Sequence, residues 1–182
     1  MYVGPMRFTE TPLADCYVVE TDRIADDRGY FTRAFCVDEF AEHGVSADIV
    51  QINLSGNNHA GIFRGLHYQA APHEECKFMR CITGRSFNVV VDMRPDSATF
   101  RRWFGVELDP VEHRALVVPE GFANGYQALE DGTEVLYSTT ARYAPGSERG
   151  VRVDDPSLGI ELPIPITSRT EKDESWPLLP DL

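Results

Sequence analysis

An all-β sandwich or barrel is the fold class this sequence predicts, on three observations. Short runs rich in β-branched and aromatic residues recur at roughly 10-residue spacing, the pattern of sandwiches and barrels. Turn signals separate them: Thr83-Gly84, Arg94-Pro95-Asp96, Asp109-Pro110 and Asp131-Gly132. Helical periodicity is scarce, and nothing resembles the alternating strands and helices of a doubly wound fold.

The elements follow in chain order. A strand is expected at residues 16–20. One short helix follows, Val37-Asp38-Glu39-Phe40-Ala41-Glu42-His43, whose apolar residues fall at i, i+3 and i+4 ahead of Gly44 as a C-terminal cap. Strands are then expected at 48–55, 63–69 and 77–82. Residues 87–93 alternate, with Phe87, Val89, Val91 and Met93 on one face and Asn88, Val90 and Asp92 on the other. Further strands are expected at 103–108, 114–118, 125–129 and 134–139. The proline-rich tail from Pro163 to Leu182 shows neither period, and is expected to wrap the barrel as irregular chain. No repeat, low-complexity segment or long linker interrupts the sequence, so a single domain over 1–182 is expected.

Composition narrows the function. With 42% apolar and 25% charged residues, the chain falls among globular proteins. Its 182 residues bury enough surface to fold without a disulfide or metal. No apolar run approaches the ~18 residues of a membrane span, and Met1-Tyr2-Val3-Gly4-Pro5 lacks the apolar core of a secretory signal. Cys16, Cys36, Cys76 and Cys81 form no CxxC pair, so a reduced, cytoplasmic setting is expected. A net charge of −12 argues against nucleic acid and anionic membranes as partners. A small anionic substrate then requires a few cations gathered in a pocket. Only two of the seventeen basic residues are lysines, Lys77 and Lys172. Coding bias accounts for most of that, yet a lysine kept among arginines marks a place for ammonium chemistry.

There is no GxGxxG, Walker loop, GxSxG or HExxH motif, which disfavours dinucleotide enzymes, P-loop enzymes and zincins. Gly61-Ile62-Phe63-Arg64-Gly65-Leu66-His67-Tyr68-Gln69 places an arginine and a histidine in one strand. Arg64 and His67 have opposite parity, so both face one cavity only if the chain bulges, and Gly65 permits that. Taken alone, a strand histidine is more often structural. Lys77 sits in an otherwise apolar strand, where it either snorkels at an edge or meets a negative partner inside the barrel. In 119–126 two glycines frame small and aromatic residues, as where a strand hugs a ligand. Tyr137 reads by itself as a core tyrosine with its hydroxyl at the rim, and Lys172-Asp173 as a solvated pair.

Together these segments resemble the nucleotide-sugar epimerases typified by dTDP-4-dehydrorhamnose 3,5-epimerase, over roughly residues 6–180. The signatures stand in order: Asp27-Arg28-Gly29-Tyr30-Phe31, Gln51-Ile52-Asn53-Leu54-Ser55, Phe63 to Gln69, Cys76-Lys77, Val91-Asp92-Met93-Arg94, Pro119-Glu120-Gly121-Phe122-Ala123, Tyr137, Asp154-Asp155-Pro156 and Lys172-Asp173. The resemblance implies a cupin-type double-stranded β-helix, or jelly roll. It implies His67 as general base paired with Asp173, Tyr137 as proton donor and Lys77 as the group stabilising the enolate. Arg64 matches an arginine on the diphosphate side of the substrate. Arg28, Gln51, Asn53 and Glu148 match ligand-contacting positions, and Tyr143 an aromatic that stacks on the base. It also implies a homodimer in which Arg28 and Arg33 reach the neighbour's site.

The implied chemistry removes a proton beside a carbonyl and returns one to the opposite face, so it needs a base and an acid flanking the sugar. The 4-keto group is the electron sink, so neither metal nor organic cofactor is expected. Metal-binding cupins use a His-x-His pair, and none occurs here. Two positions depart from the family pattern: Asn124 stands where a histidine is common, and Arg33 where a glutamate is common. The expected substrate is a nucleotide-diphosphate 4-keto-6-deoxyhexose, inverted at C3, C5 or both. A CDP- or GDP-linked sugar stays open on these residues. A non-catalytic sugar-binding jelly roll is disfavoured, because binding alone has no need of both acid and base.

Overall fold

The computed structural model describes residues 4–180 of the chain. Met1, Tyr2 and Val3 of the N-terminal reading, and the last two residues of the tail, lie outside the described residues. The chain opens with β1 (Arg7–Glu10) and β2 (Tyr17–Glu20), then β3 (Ile24–Asp26), β4 (Gly29–Phe31) and α1 (Val37–Glu42). The barrel strands follow: β5 (Gln51–Gly56), β6 (Phe63–Gln69), β7 (Lys77–Thr83), β8 (Ser86–Asp92) and β9 (Trp103–Leu108). After them come β10 (Ala115–Val118), β11 (Phe122–Ala128), β12 (Glu134–Thr139), β13 (Glu148–Gly150) and α2 (Glu171–Ser175).

A six-stranded sheet has the order β1-β2-β10-β7-β12-β5 and a five-stranded sheet the order β13-β6-β11-β8-β9, with every pairing antiparallel. From β5 to β13 the chain crosses between the sheets at almost every connection. That is the expected all-β jelly roll. Strands β6, β9 and β12 begin and end where the sequence predicts, and the other barrel strands shift by one to three residues. The start of β11 moves back to Phe122 because Phe122 already pairs with Asp92 on β8.

The sequence reading lacked β1, β3, β4 and β13, which have only three or four residues and so carry too little alternation to register. It is also corrected in the tail, where residues 171–175 are helical rather than irregular. Thr170 caps that helix, its hydroxyl accepting the Asp173 N–H at 3.3 Å. Elsewhere the tail does wrap the barrel, and Ser168 bridges Ile62 at the start of β6.

Three apolar layers hold the fold. Between the sheets lie Met79, Cys81, Val90, Leu108, Leu116, Val118, Phe122 and Val135. Outside the five-stranded sheet, Phe63, Leu66, Val89 and Val91 are covered by Val151, Val153, Leu158 and tail residues. Outside the six-stranded sheet, Phe40 of α1 packs on Val19 and Val117 with Met6 and Cys76. This explains the two faces of β8: Val90 points into the barrel while Val89 and Val91 point under the tail, and both faces are dry. Each fully buried Val, Leu or Phe contributes about 1.5–3 kcal/mol.

Candidate active site

One end of the barrel is polar. Two cavities of about 270 and 300 Å³ open there and share His67, Lys77 and Tyr137 in their walls. The bulge needed to turn Arg64 and His67 the same way is present. Asn124 pairs with His67 and Tyr126 with Arg64, so three steps along β6 match two along β11. Gly65 and Gly125 make it possible. Gly65 holds φ +113°, and a Cβ there would sit 2.7 Å from the Asn124 carbonyl oxygen; one on Gly125 would sit 2.5 Å from the Arg64 carbonyl oxygen. Arg64 and His67 thus line the same cavity.

His67 Nε2 lies 2.5 Å from Asp173 Oδ1, a contact spanning 106 residues of sequence. Asp173 is 3% exposed, and its other oxygen accepts the Gly65 N–H at 3.4 Å. A carboxylate only accepts, so Nε2 carries a hydrogen, and whenever the ring is neutral the lone pair is on Nδ1. The α2 cap fixes the carboxylate, and the carboxylate fixes the ring.

Lys77 enters from β7 at the barrel's inner face. Its Nζ donates to Asn124 Oδ1 at 2.8 Å and pairs with Glu75 Oε1 at 3.0 Å. Tyr137 stands on the adjacent β12, opposite Met79 of β7 and Asn53 of β5. Burial pushes its hydroxyl pKa up, the Tyr126 and Glu75 charges add to that, and Arg64 opposes it. The result keeps the phenol protonated and able to donate.

Arg64 is held by Asn57 Oδ1 at 2.9 Å and the Gly56 carbonyl at 3.0 Å. Asn57 in turn donates to the Tyr126 hydroxyl, which donates to Ser55 Oγ at 2.7 Å. These bonds aim a guanidinium at the mouth of the site. An imidazole held by a carboxylate, a protonated phenol and a lysine amine held by two partners, around one space, form the set that enolate chemistry uses.

The family model for dTDP-4-dehydrorhamnose 3,5-epimerase matches residues 10–181. The dTDP-4-dehydrorhamnose 3,5-epimerase of Shigella flexneri is 38% identical over 169 residues, 92% of this chain and 93% of that protein. The crystal structure of the enzyme of that name from Elizabethkingia anophelis superposes with a TM-score of 0.92 at 35% identity, covering 96% of each chain. A dTDP-6-deoxy-D-glucose-3,5-epimerase from Legionella pneumophila, solved in complex with dTDP-4-keto-L-rhamnose, gives 0.88 at 32% identity over 94% of this chain and 91% of that one. The chain belongs to the dTDP-4-dehydrorhamnose 3,5-epimerase family. It is therefore a carbohydrate epimerase of the isomerase class.

The remaining site residues of this epimerase divide into two groups. Gln51 and Asn53 line the first cavity from the edge strand β5, bonded to each other at 2.7 Å. Tyr143 and Glu148 line it from the opposite rim, the Tyr143 hydroxyl donating to Glu148 Oε2 at 3.2 Å. Burial raises the Glu148 pKa, but the Lys172 ammonium at 2.5 Å outweighs it and holds the carboxyl below its usual range. Arg28 and Arg33 lie outside both cavities. Arg28 rides the β3–β4 turn with its side chain 82% exposed, bonded to Asp26. Arg33 pairs with Glu39 of α1.

Sequence reasoning missed Glu75 and Asn57, and read Tyr126 only as part of the ligand-hugging segment 119–126. Glu75 had a usable signal, since two residues before Lys77 on extended chain is the same face. Asn57 had none, because its bonds to Arg64 and Tyr126 depend on how β6 and β11 pair. Among the described residues no three His, Cys, Asp or Glu side chains gather as metal ligands, and no helix is long and apolar enough to cross a membrane.

Proposed function

We propose that this epimerase inverts C3 and C5 of dTDP-4-dehydro-6-deoxyglucose, with His67 as base and Tyr137 as acid. His67 Nδ1 removes the proton from the carbon beside the C4 carbonyl. The electron pair moves onto the carbonyl oxygen, and the Lys77 ammonium stabilises the enolate. Tyr137 returns a proton to the opposite face, the phenolate recovers one from solvent, and the imidazolium of His67 releases its own to solvent. The His67–Asp173 contact at 2.5 Å carries the reading, since it orients the ring in a cavity that also holds Tyr137 and Lys77. Positioned acids and bases contribute about 10²–10⁴-fold each. The dTDP-sugar held by the Legionella relative supports thymidine as the base read here, with Arg64 on the diphosphate and Tyr143 against the ring.

The active unit in this reading is a cytoplasmic homodimer. Four free cysteines among the described residues suit a reducing compartment. Edge strand β5 exposes Ile52 and Leu54, and the β3–β4 hairpin exposes Tyr30 and Phe31, an apolar surface that a second copy would cover. The hairpin would carry Arg28, and the segment behind it Arg33, toward the neighbour's cavity. Mixing His67→Ala with Arg28→Ala protein restores activity if the site is shared, and restores none if each chain works alone.

Solvent deuterium uptake tests the reaction. In D₂O with dTDP-4-keto-6-deoxyglucose, NMR shows label at both C3 and C5. Label at one carbon identifies a single-site epimerase, and none with this sugar defeats the reading.

A further inference from the structure

Glu75 takes no part in the steps above, yet it lies inside the site. It lies two residues before Lys77, and both side chains line the first cavity, while Cys76 between them packs in the cluster beneath α1. The backbone here is pinned: the Cys76 N–H donates to Thr140 Oγ1 at 2.9 Å, and its carbonyl accepts the Thr140 N–H at 3.1 Å. The Glu75 side chain is 12% exposed and lines the first cavity with His67 and Tyr137. Among the described residues it is the one carboxylate paired with Lys77.

An ammonium has three hydrogens on a flexible stem. Here Asn124 of β11 takes one at 2.8 Å and Glu75, just before β7, a second at 3.0 Å, which leaves a third for the substrate. A histidine at 124 could bring its own charge to this spot; asparagine brings only a dipole.

We propose that Glu75 is a positioning residue for the epimerisation, clamping the Lys77 ammonium against Asn124 so that its remaining hydrogen faces the enolate oxygen, and setting a fixed negative charge in the cavity that Tyr137 lines. The inference rests on the reaction proposed above. Glu75 also adds to the upward push on the Tyr137 hydroxyl, behind burial and Tyr126. The other charged or titratable groups facing this space are Arg64, His67 and Tyr68 from β6, Tyr126 from β11, Glu148 from β13, Tyr143, and Lys172 and Asp173 of α2. None of them forms an ion pair with Lys77 among the described residues.

Glu75→Gln keeps the shape and removes the charge. Losing a preorganised donor outright costs about 10²–10³-fold, and loosening one costs less, so kcat falls about 10-fold with KM within about twofold. The alkaline limb of the pH profile moves to lower pH, because Tyr137 ionises more readily once the neighbouring negative charge is gone. Glu75→Asp recovers part of the rate and of the limb. A wild-type protein active on the dTDP sugar, with Glu75→Gln matching its kcat and pH profile, overturns the inference alone. An inert wild type overturns the reaction and the inference with it.

Discussion

Strand β7 is two different materials within five residues. At one end Lys77 is held by Glu75 and Asn124; at the other, Met79 and Cys81 pack against Val90, Leu116 and Val135. Strands β11 and β12 show the same change, from Asn124 to Phe122 and from Tyr137 to Val135. One inward face therefore serves chemistry at the barrel mouth and cohesion behind it. The mouth carries buried charge, which costs desolvation and survives only because each group has a partner. The apolar end supplies the burial that tolerates that cost. Function and stability are segregated by position along the same strands.

Substitutions can break this comparison. The largest effect is expected at His67→Ala, which abolishes deuterium uptake at both carbons, a loss of about 10²–10⁴-fold or more. Its thermal midpoint falls by several degrees, because the 3% exposed Asp173 carboxylate loses its partner, so activity is compared per folded molecule. Normal turnover in this variant defeats the central assignment. Tyr137→Phe comes next. Epimerised product falls by about 10²-fold while proton abstraction continues, so deuterium enters with the starting configuration retained. Equal loss of exchange and product would place Tyr137 on the abstraction side instead. Leu116→Ala is the converse case: Leu116 is wholly buried, and its truncation costs about 2–5 kcal/mol of stability, read by denaturant unfolding. Activity per folded molecule is unchanged. A Leu116 variant that stays stable but loses kcat would show that the two ends are not independent.

How much of this was legible in the sequence follows the same division. The barrel strands were legible because their alternation and punctuating turns are local signals. The bulge at Gly65 was legible too, since Arg64 and His67 of opposite parity beside a glycine admit few arrangements. The α2 helix went unread: five residues after a proline-rich stretch show no period, although Thr170 three residues before Asp173 is a local cap signal. The pairing of His67 with Asp173 spans 106 residues, so only the resemblance to a known family suggested it. Glu75 escaped because it lies just before β7, which begins at Lys77 as expected, so no strand pattern assigned it a face.

The smallest expected effect tests the boundary between the two ends. Asn124 sits directly across from His67 in the ladder and is 8% exposed, with its Nδ2 3.6 Å from the Met79 sulfur, the first apolar side chain behind the site. Its Oδ1 accepts from Lys77. A neutral imidazole also offers one acceptor nitrogen and one N–H, so Asn124→His can keep the lysine bond and turn its donor toward the sugar or the sulfur. Activity on the dTDP sugar is expected to remain within about fivefold of wild type, with stability lowered by about 1–3 kcal/mol, because the larger ring must fit between β11 and β7. If the variant instead loses activity while folding normally, the polar mouth is tuned to asparagine. The Lys77–Glu75–Asn124 arrangement would then be one interlocked unit rather than a set of replaceable contacts.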